Sequence, residues 1–186
     1  MLIKERKLRG VYEIELMPYK DSRGYFMRTY SEEIFSNFGM HKKWIQENHS
    51  VSLKRGTIRG LHFQFPPYTE TKLIRVVKGK IYDVFVDLRK DSPTFAQWDS
   101  IILSAANKKM IFIPRGFSHG FCTLTNNCEV IYKVDNSYYP EKEGSILWND
   151  PDLGITWPTQ NPIISEKDMR AKPLKEFIAL FNGLET

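Results

Sequence analysis

The sequence is poor in cysteine and contains no long apolar run. Its two cysteines, Cys122 and Cys128, are too few for a disulfide framework and lack the CxxC spacing of zinc and redox sites. No apolar run approaches the roughly 18 residues that span a membrane, and residues 1–7 hold no stretch of signal-peptide length. We therefore expect two buried free thiols, no membrane partner and a cytoplasmic location.

The sequence also lacks any concentrated block of like charge. Lys and Arg number 27 and Asp and Glu 22, which leaves a net charge of +5, yet no run of five like charges occurs. A basic excess can serve nucleic acid, a membrane surface or a small phosphate-bearing ligand. Because a barrel that binds nucleic acid concentrates its cations along one groove, the scattered charge disfavours a nucleic-acid partner.

Short apolar runs separated by Gly, Pro, Asn and Asp dominate the chain, a pattern typical of a β-sandwich or barrel. Residues 73–77 are rich in β-branched side chains, 78–80 supply a turn, and 82–88 alternate with period two, which predicts a strand pair. Apolar residues on both faces of the second run indicate a strand buried on both sides. Further strands are predicted at residues 101–103, 110–113, 121–124 and 129–133.

Helices are predicted to be few and short. Ser31 is placed to cap one that runs to about Phe38, and Ser165 to cap another, with Asp168 in the acidic position of a capping box. Apolar side chains at three-to-four spacing in residues 174–181 predict an amphipathic C-terminal helix. With 41% apolar and 13% aromatic residues the chain can build one core. We predict a single mostly-β domain over residues 1–186, a double-sheet jelly roll with short peripheral helices.

Histidine is scarce, with four in the chain. His62 and His119 each have glycine, aromatic residues and an upstream arginine nearby. A single histidine in such a setting is more often a hydrogen-bonded structural residue than a catalytic one. Two of them in similar surroundings favour a polar cavity inside the barrel.

Spacing disfavours two kinds of chemistry. No two histidines have metal-ligand spacing and no HExxH or CxxC occurs, which favours a metal-free site. No GxSxG occurs and neither cysteine adjoins a histidine, so a covalent nucleophile is unsupported.

Acid–base chemistry remains. His62 could act as a base, because histidine ordinarily titrates near neutral pH. Tyr132 could donate a proton, although a tyrosine at a strand end is more often core. The cations that could bind phosphate or a developing oxyanion are Lys72, Arg23, Arg59 and Arg115, although any single one of them is more often a solvated surface charge.

Ten short segments, taken in order, are similar to one known family. They are Asp21-Ser22-Arg23-Gly24-Tyr25-Phe26; Gln46-Glu47-Asn48-His49-Ser50; Arg59-Gly60-Leu61-His62-Phe63-Gln64; Lys72-Leu73; Asp83-Val84-Phe85-Val86-Asp87-Leu88-Arg89; Ser92-Pro93-Thr94; Ile113-Pro114-Arg115-Gly116-Phe117-Ser118-His119-Gly120-Phe121; Tyr132-Lys133; Trp148-Asn149-Asp150-Pro151; and Ser165-Glu166-Lys167-Asp168. The sequence thereby resembles the dTDP-4-dehydrorhamnose 3,5-epimerase family, the cupin-fold enzymes of dTDP-L-rhamnose synthesis. The resemblance runs from Asp21 to about Leu174.

The resemblance implies a double-stranded β-helix and a homodimeric isomerase that uses neither metal nor cofactor. Its substrate would be a nucleotide-diphosphate 4-keto-6-deoxy sugar, inverted at C3 and C5. The implied catalytic residues are the base His62, its carboxylate partner Asp168, the proton donor Tyr132, and Lys72 facing the keto oxygen. The implied substrate-binding residues are Arg23, Gln46, Asn48, Arg59, His119, Glu143, Lys167 and, stacking on the nucleobase, Tyr138.

Two departures from the family pattern leave the substrate open. Arg28 occupies a substrate-binding slot where the family usually has a glutamate, and a cation there should change what is accepted. Residues 135–137 depart from the usual Thr-Asp-Tyr, next to Tyr138. Inversion at one carbon only, a different nucleotide sugar, or a jelly roll that binds sugar nucleotides without catalysis remain the alternatives.

Overall fold

A computed structural model describes all residues from 1 to 186. The strands are β1 (Leu2–Glu5), β2 (Tyr12–Glu15), β3 (Tyr19–Asp21), β4 (Gly24–Phe26), β5 (Gln46–Ser52), β6 (Ile58–Gln64), β7 (Lys72–Lys78), β8 (Lys80–Asp87), β9 (Trp98–Ser104), β10 (Lys109–Ile113), β11 (Phe117–Thr123), β12 (Cys128–Val134) and β13 (Glu143–Ser145). The helices are α1 (Glu32–Ser36), α2 (Glu166–Met169) and α3 (Leu174–Phe181), with a 3₁₀ turn at Pro140–Lys142. No helix combines the length and apolarity needed to cross a bilayer.

Two antiparallel sheets form the body of the fold. One has six strands in the order β1-β2-β10-β7-β12-β5, and the other has five in the order β13-β6-β11-β8-β9. Between them lies an apolar core that takes Ile74 and Val130 from the first sheet and Phe85 and Phe121 from the second. This is the predicted jelly roll, the double-stranded β-helix of cupins.

Two further clusters cover the outer faces of the sheets. Residues after β13 fold back over the five-stranded sheet, where Trp157 and Phe177 pack against β6 and β8. On the six-stranded sheet, Phe35 of α1 packs with Ile14 and Met110. Strand β8 is therefore buried on both sides, as predicted: Phe85 faces the inner core and Val84 the outer cluster.

A close approach of β6 and β11 shapes the centre of the five-stranded sheet. Gly60 has φ +119, and a Cβ there would lie 2.5 Å from the Gly120 Cα and 2.7 Å from the His119 carbonyl oxygen. The register of the two strands also shifts between His119 and Phe121. Only glycine fits both the dihedral angle and the space at position 60.

Several element boundaries differ from the sequence predictions. The strand predicted at 121–124 begins at Phe117, because Phe117 and Ser118 pair with β8 despite Gly116 and Gly120 nearby. Helix α1 ends at Ser36 rather than Phe38, and the Ser31 side chain makes no capping hydrogen bond. The helix at 174–181 has the predicted bounds, and both cysteines are free and buried. Strands β5 and β6, which carry polar residues and glycine, were not predicted.

Candidate active site

A cavity of about 540 Å³ opens between the two sheets. Strand β6 contributes Arg59 and His62, and its neighbour β11 contributes His119. The six-stranded sheet contributes Lys72 from β7 and Tyr132 from β12, and the segment around α2 adds Lys167 and Asp168. The cavity is thus lined by ionisable side chains from both sheets.

His62 is held by a buried carboxylate. Its Nε2 lies 2.7 Å from Asp168 Oδ1, and the Gly60 amide donates to Asp168 Oδ2 at 3.4 Å. Ser165 caps α2 by accepting a hydrogen bond from the Asp168 amide at 3.1 Å, as predicted. The Asp168 carboxylate does not complete the predicted capping box, because it is hydrogen-bonded to His62 instead. This pairing leaves Nδ1 of His62 as the ring atom free to accept a proton.

The electrostatics of Asp168 favour its charged form. Burial alone would raise the pKa of this carboxyl group, but the hydrogen bond and charge of His62 oppose that effect, helped by Gly60 and Ser165. The net result is a pKa below the ordinary value of aspartate. At neutral pH the charged Asp168 fixes the tautomer of His62 and would stabilise the imidazolium form of that ring.

His119 forms a second histidine–carboxylate pair. Its Nε2 lies 2.8 Å from Asp83 Oδ2, and the other oxygen of Asp83 is buried without a partner. Burial raises the pKa of Asp83, while the charges of His119 and Lys72 act against the rise. Asp83 was not among the predicted site residues, although the alternation along β8 puts it on the same inward face as Phe85.

Lys72 and Tyr132 lie on neighbouring strands across the cavity from His62. The Lys72 ammonium is 5.8 Å from the centroid of the Tyr132 ring and forms an ion pair with Glu70. Tyr132 packs at the edge of the inner core and keeps part of its ring accessible. A cation and a phenol therefore face the cavity from the six-stranded sheet, opposite the His62–Asp168 pair.

Four more of the predicted binding residues lie beside the cavity or at its rim. On β5, Gln46 and Asn48 lie on the same face as the cavity residue Ser50, and Asn48 is the register partner of Tyr132. At the rim, the Tyr138 hydroxyl and the Lys167 ammonium both donate to Glu143 Oε2 at 2.6 Å.

The rim contacts shift two pKa values in opposite directions. The hydrogen bond to Glu143 raises the pKa of Tyr138 to about 12, so this tyrosine keeps its proton. Burial would raise the pKa of Glu143, but Lys167 and Tyr138 lower it overall. The rim therefore holds a neutral aromatic ring beside a charged ion pair.

Three predicted cations do not reach this cavity. Arg23 lies at the tip of the β3–β4 hairpin, where it pairs with Asp21 and its side chain is 88% exposed. Arg28 follows the same hairpin and is also exposed. The hairpin strands form a separate two-stranded sheet, and neither arginine lines the cavity. Arg115 binds Asp135 instead.

The fold and the site together define a type of jelly-roll isomerase, in which a hydrogen-bonded histidine–aspartate pair lies opposite a tyrosine in a polar cavity. No group of three or more His, Cys, Asp or Glu side chains is arranged to hold a metal ion. Residues 5–176 match the model of the dTDP-4-dehydrorhamnose 3,5-epimerase family, and the chain belongs to that family.

Individual relatives agree with this assignment. The chain is 48% identical over 172 residues to dTDP-4-dehydrorhamnose 3,5-epimerase of Methanothermobacter thermautotrophicus, covering 91% of this chain and 92% of that one. The Bacillus anthracis enzyme of the same name, solved with TDP and PPi bound, superposes with a TM-score of 0.91 at 45% identity, over 93% and 99% of the two chains. The Legionella pneumophila dTDP-6-deoxy-D-glucose-3,5-epimerase, in complex with dTDP-4-keto-L-rhamnose, gives 0.92 at 37% identity, over 100% and 98%.

Proposed function

We propose that this enzyme inverts C3 and C5 of dTDP-4-dehydro-6-deoxyglucose to give dTDP-4-dehydrorhamnose. The observation that carries the proposal is the His62–Asp168 pair, 2.7 Å apart, which opens into the same cavity as Tyr132 and Lys72. A protein that only bound the sugar nucleotide would have no use for a base and an acid on opposite walls. The names and bound ligands of the relatives support the choice of sugar.

The chemistry follows from the 4-keto group, which acidifies the hydrogens on its neighbours C3 and C5. His62 removes one of these protons and an enolate forms. The Lys72 ammonium, helped by His119, stabilises the developing oxyanion. Tyr132 then returns a proton from the other wall of the cavity, so the configuration inverts. No step calls for a metal or a redox cofactor, because the ketone supplies the activation.

The remaining predicted residues would bind the nucleotide. Arg59 lines the cavity, where its guanidinium is steadied by the Ser52 hydroxyl at 3.1 Å and the Val51 carbonyl at 3.0 Å. A guanidinium held in this way suits a diphosphate. Lys167 and Glu143 lie nearby, and the neutral Tyr138 ring offers a stacking surface for the base. Gln46 and Asn48 would bind polar groups of the substrate near Tyr132.

We further propose that the active form is a homodimer in which Arg23 and Arg28 act in the partner's cavity. The β3–β4 hairpin exposes Tyr19 by 74% and Phe26 by 67%, which favours burial against another surface. Arg23 and Arg28 from a partner would also add to Arg59 and Lys167 two cations that complement the charge of a diphosphate. We expect the enzyme to work in the cytoplasm as one domain, without a nucleic-acid or membrane partner, and its two free thiols suit a reducing compartment.

Two experiments test these proposals. The protein is incubated with dTDP-4-dehydro-6-deoxyglucose in D2O, and deuterium at C3 and C5 is followed by NMR. Incorporation at both carbons is expected; incorporation at one would indicate a mono-epimerase, and at neither would exclude this substrate. For the dimer, inactive His62→Asn and Arg23→Ala chains are mixed. If Arg23 acts across the interface, mixing restores activity, whereas an inactive mixture would show that both residues serve the same chain.

A further inference from the structure

Glu70 is an acidic residue beside the cavity for which the proposed mechanism has no role. It lies two residues before Lys72, and its side chain is only 11% exposed. One carboxylate oxygen accepts a hydrogen bond from the Lys72 ammonium, and the other accepts from Gln64 Nε2 at 3.2 Å. Both oxygens of a mostly buried carboxylate are thus committed, one of them to the lysine that faces the keto oxygen.

Gln64 extends this contact to the loop that carries Tyr138. It is 3% exposed, and its Oε1 accepts from the Tyr139 amide at 2.8 Å. Its Nε2 also lies 3.1 Å from the Ser137 carbonyl and 3.0 Å from that of Tyr68. The side-chain amide of Gln64 has two hydrogens, which are shared among these two carbonyls and the Glu70 carboxylate. Gln64 therefore holds the backbone on both sides of Tyr138.

A second set of contacts fastens the same two segments. The side-chain amide of Asn136 donates to the carbonyls of Pro67 and Thr69 at 3.1 and 3.2 Å. The backbone amide of Thr71 donates to Asp135 Oδ1 at 2.6 Å. The stretch that departs from the family pattern, residues 135–137, is thus the stretch that clamps the loop bearing Glu70.

We infer that Glu70 and Gln64 are positioning residues that join Lys72, at the sugar end of the site, to the backbone around Tyr138, at the nucleobase end. The inference rests on the proposed function, which gives those two ends their roles. Glu70 sets the direction of the ammonium, and Gln64 sets the position of Glu70 relative to the nucleobase loop. Nucleotide binding at Tyr138 then restrains the lysine that stabilises the enolate.

The first test replaces Glu70 with its neutral near-isostere. Glu70→Gln should lower kcat by about tenfold or more, because the ammonium loses its fixed direction, while dTDP affinity stays near wild type. The matched control is Glu176→Gln, which removes an equivalent Glu–Lys pair with Lys172 on the exposed face of α3. A kcat for Glu70→Gln equal to that of the control would overturn the inference.

The second test asks whether the two residues act as one unit. Gln64→Ala should lower kcat and also weaken dTDP binding, because it releases the loop around Tyr138. The double variant should lose no more kcat than Gln64→Ala alone. Fully additive losses would overturn the coupling. Wild-type protein in the same D2O assay separates the two hypotheses: if it fails to exchange, the proposed function falls and the inference with it.

Discussion

His62 and His119 are register partners on the neighbouring antiparallel strands β6 and β11, and each is hydrogen-bonded to a carboxylate. The carboxylates have different origins, since Asp168 follows the helix cap at Ser165 and Asp83 belongs to the buried strand β8. His62 is the more accessible of the two, with 32% of its side chain exposed against 12% for His119. This difference supports His62 as the base and His119 as a donor to the oxyanion.

His62→Asn should abolish exchange at both carbons, because asparagine cannot accept the substrate proton. A loss of about 10²- to 10⁴-fold in kcat is expected, with dTDP affinity largely retained. Exchange is measured in D2O and affinity by titration calorimetry. His41→Asn, a substitution at a half-exposed surface histidine, is the control and should be fully active. Persistent exchange in His62→Asn would remove His62 as the base.

Asp168→Asn should reduce kcat strongly while leaving the Ser165 cap in place, since that cap uses the backbone amide of residue 168. The neutral amide can no longer stabilise the imidazolium of His62. The decisive comparison is the pH–rate profile, whose lower limb should move relative to wild type because the charge next to His62 is gone. An unchanged profile would argue that Asp168 merely fills space.

The lowered pKa of Asp168 predicts that the stability of the protein depends on pH. The folded-state pKa of Asp168 is lowered from the ordinary value of 3.8, so the folded protein binds this proton less readily than the unfolded chain does. Its contribution to the free energy of unfolding is present above pH 3.8 and is lost as the pH falls through the lower folded value. Urea unfolding should therefore show Asp168→Asn less stable than wild type at neutral pH, with the gap closing in acid. A pH-independent gap would contradict this.

Tyr132→Phe should separate exchange from inversion. Without the phenol, His62 can still remove a proton and return deuterium from the same side, so label should enter with retained configuration. Epimerised product should fall by about 10²-fold or more. The two outcomes are resolved by NMR of the recovered sugar. Equal losses of exchange and inversion would mean that Tyr132 also serves the deprotonation step.

Gly60→Ala should destabilise the protein by at least about 2 kcal/mol, because the new methyl group meets the backbone of the neighbouring strand at 2.5 Å. Gly24→Ala is the matched control for unfolding, since Gly24 has a similar φ of +132 with nothing within 4 Å. The difference between the two free energies of unfolding isolates the steric cost from the dihedral cost. Equal free energies of unfolding for the two variants would show that β6 and β11 move apart easily to accommodate the methyl group.

The parts of the fold with regular patterns were predictable from the sequence. Strand β8 alternates apolar and polar residues, and α3 has apolar residues at helical spacing; both form where expected. Strand β6 was missed because Arg59 and Gly60 interrupt its pattern, and such an interruption carries no local sign of its cause. That cause, the backbone of β11, is distant in sequence and visible only after folding.

The candidate site, like the fold, could be predicted only in part. His62 and Asp168 could be paired from the resemblance, and their proximity in the structure agrees with it. The contacts of Glu70 and Gln64 could not be predicted, because they depend on side-chain directions across the loop 135–139. The roles of Arg23 and Arg28 stay predictions, since one chain leaves both at a distance from its own cavity.

The division of the site between two sheets has a practical consequence. In the proposed mechanism the base belongs to the five-stranded sheet and the acid to the six-stranded sheet, so the packing of Phe85, Phe121 and their neighbours helps to set the gap between them. Mild heating that loosens this packing would increase the distance between His62 and Tyr132 before the strands separate. We therefore expect turnover to be lost on heating at temperatures where circular dichroism still shows intact secondary structure.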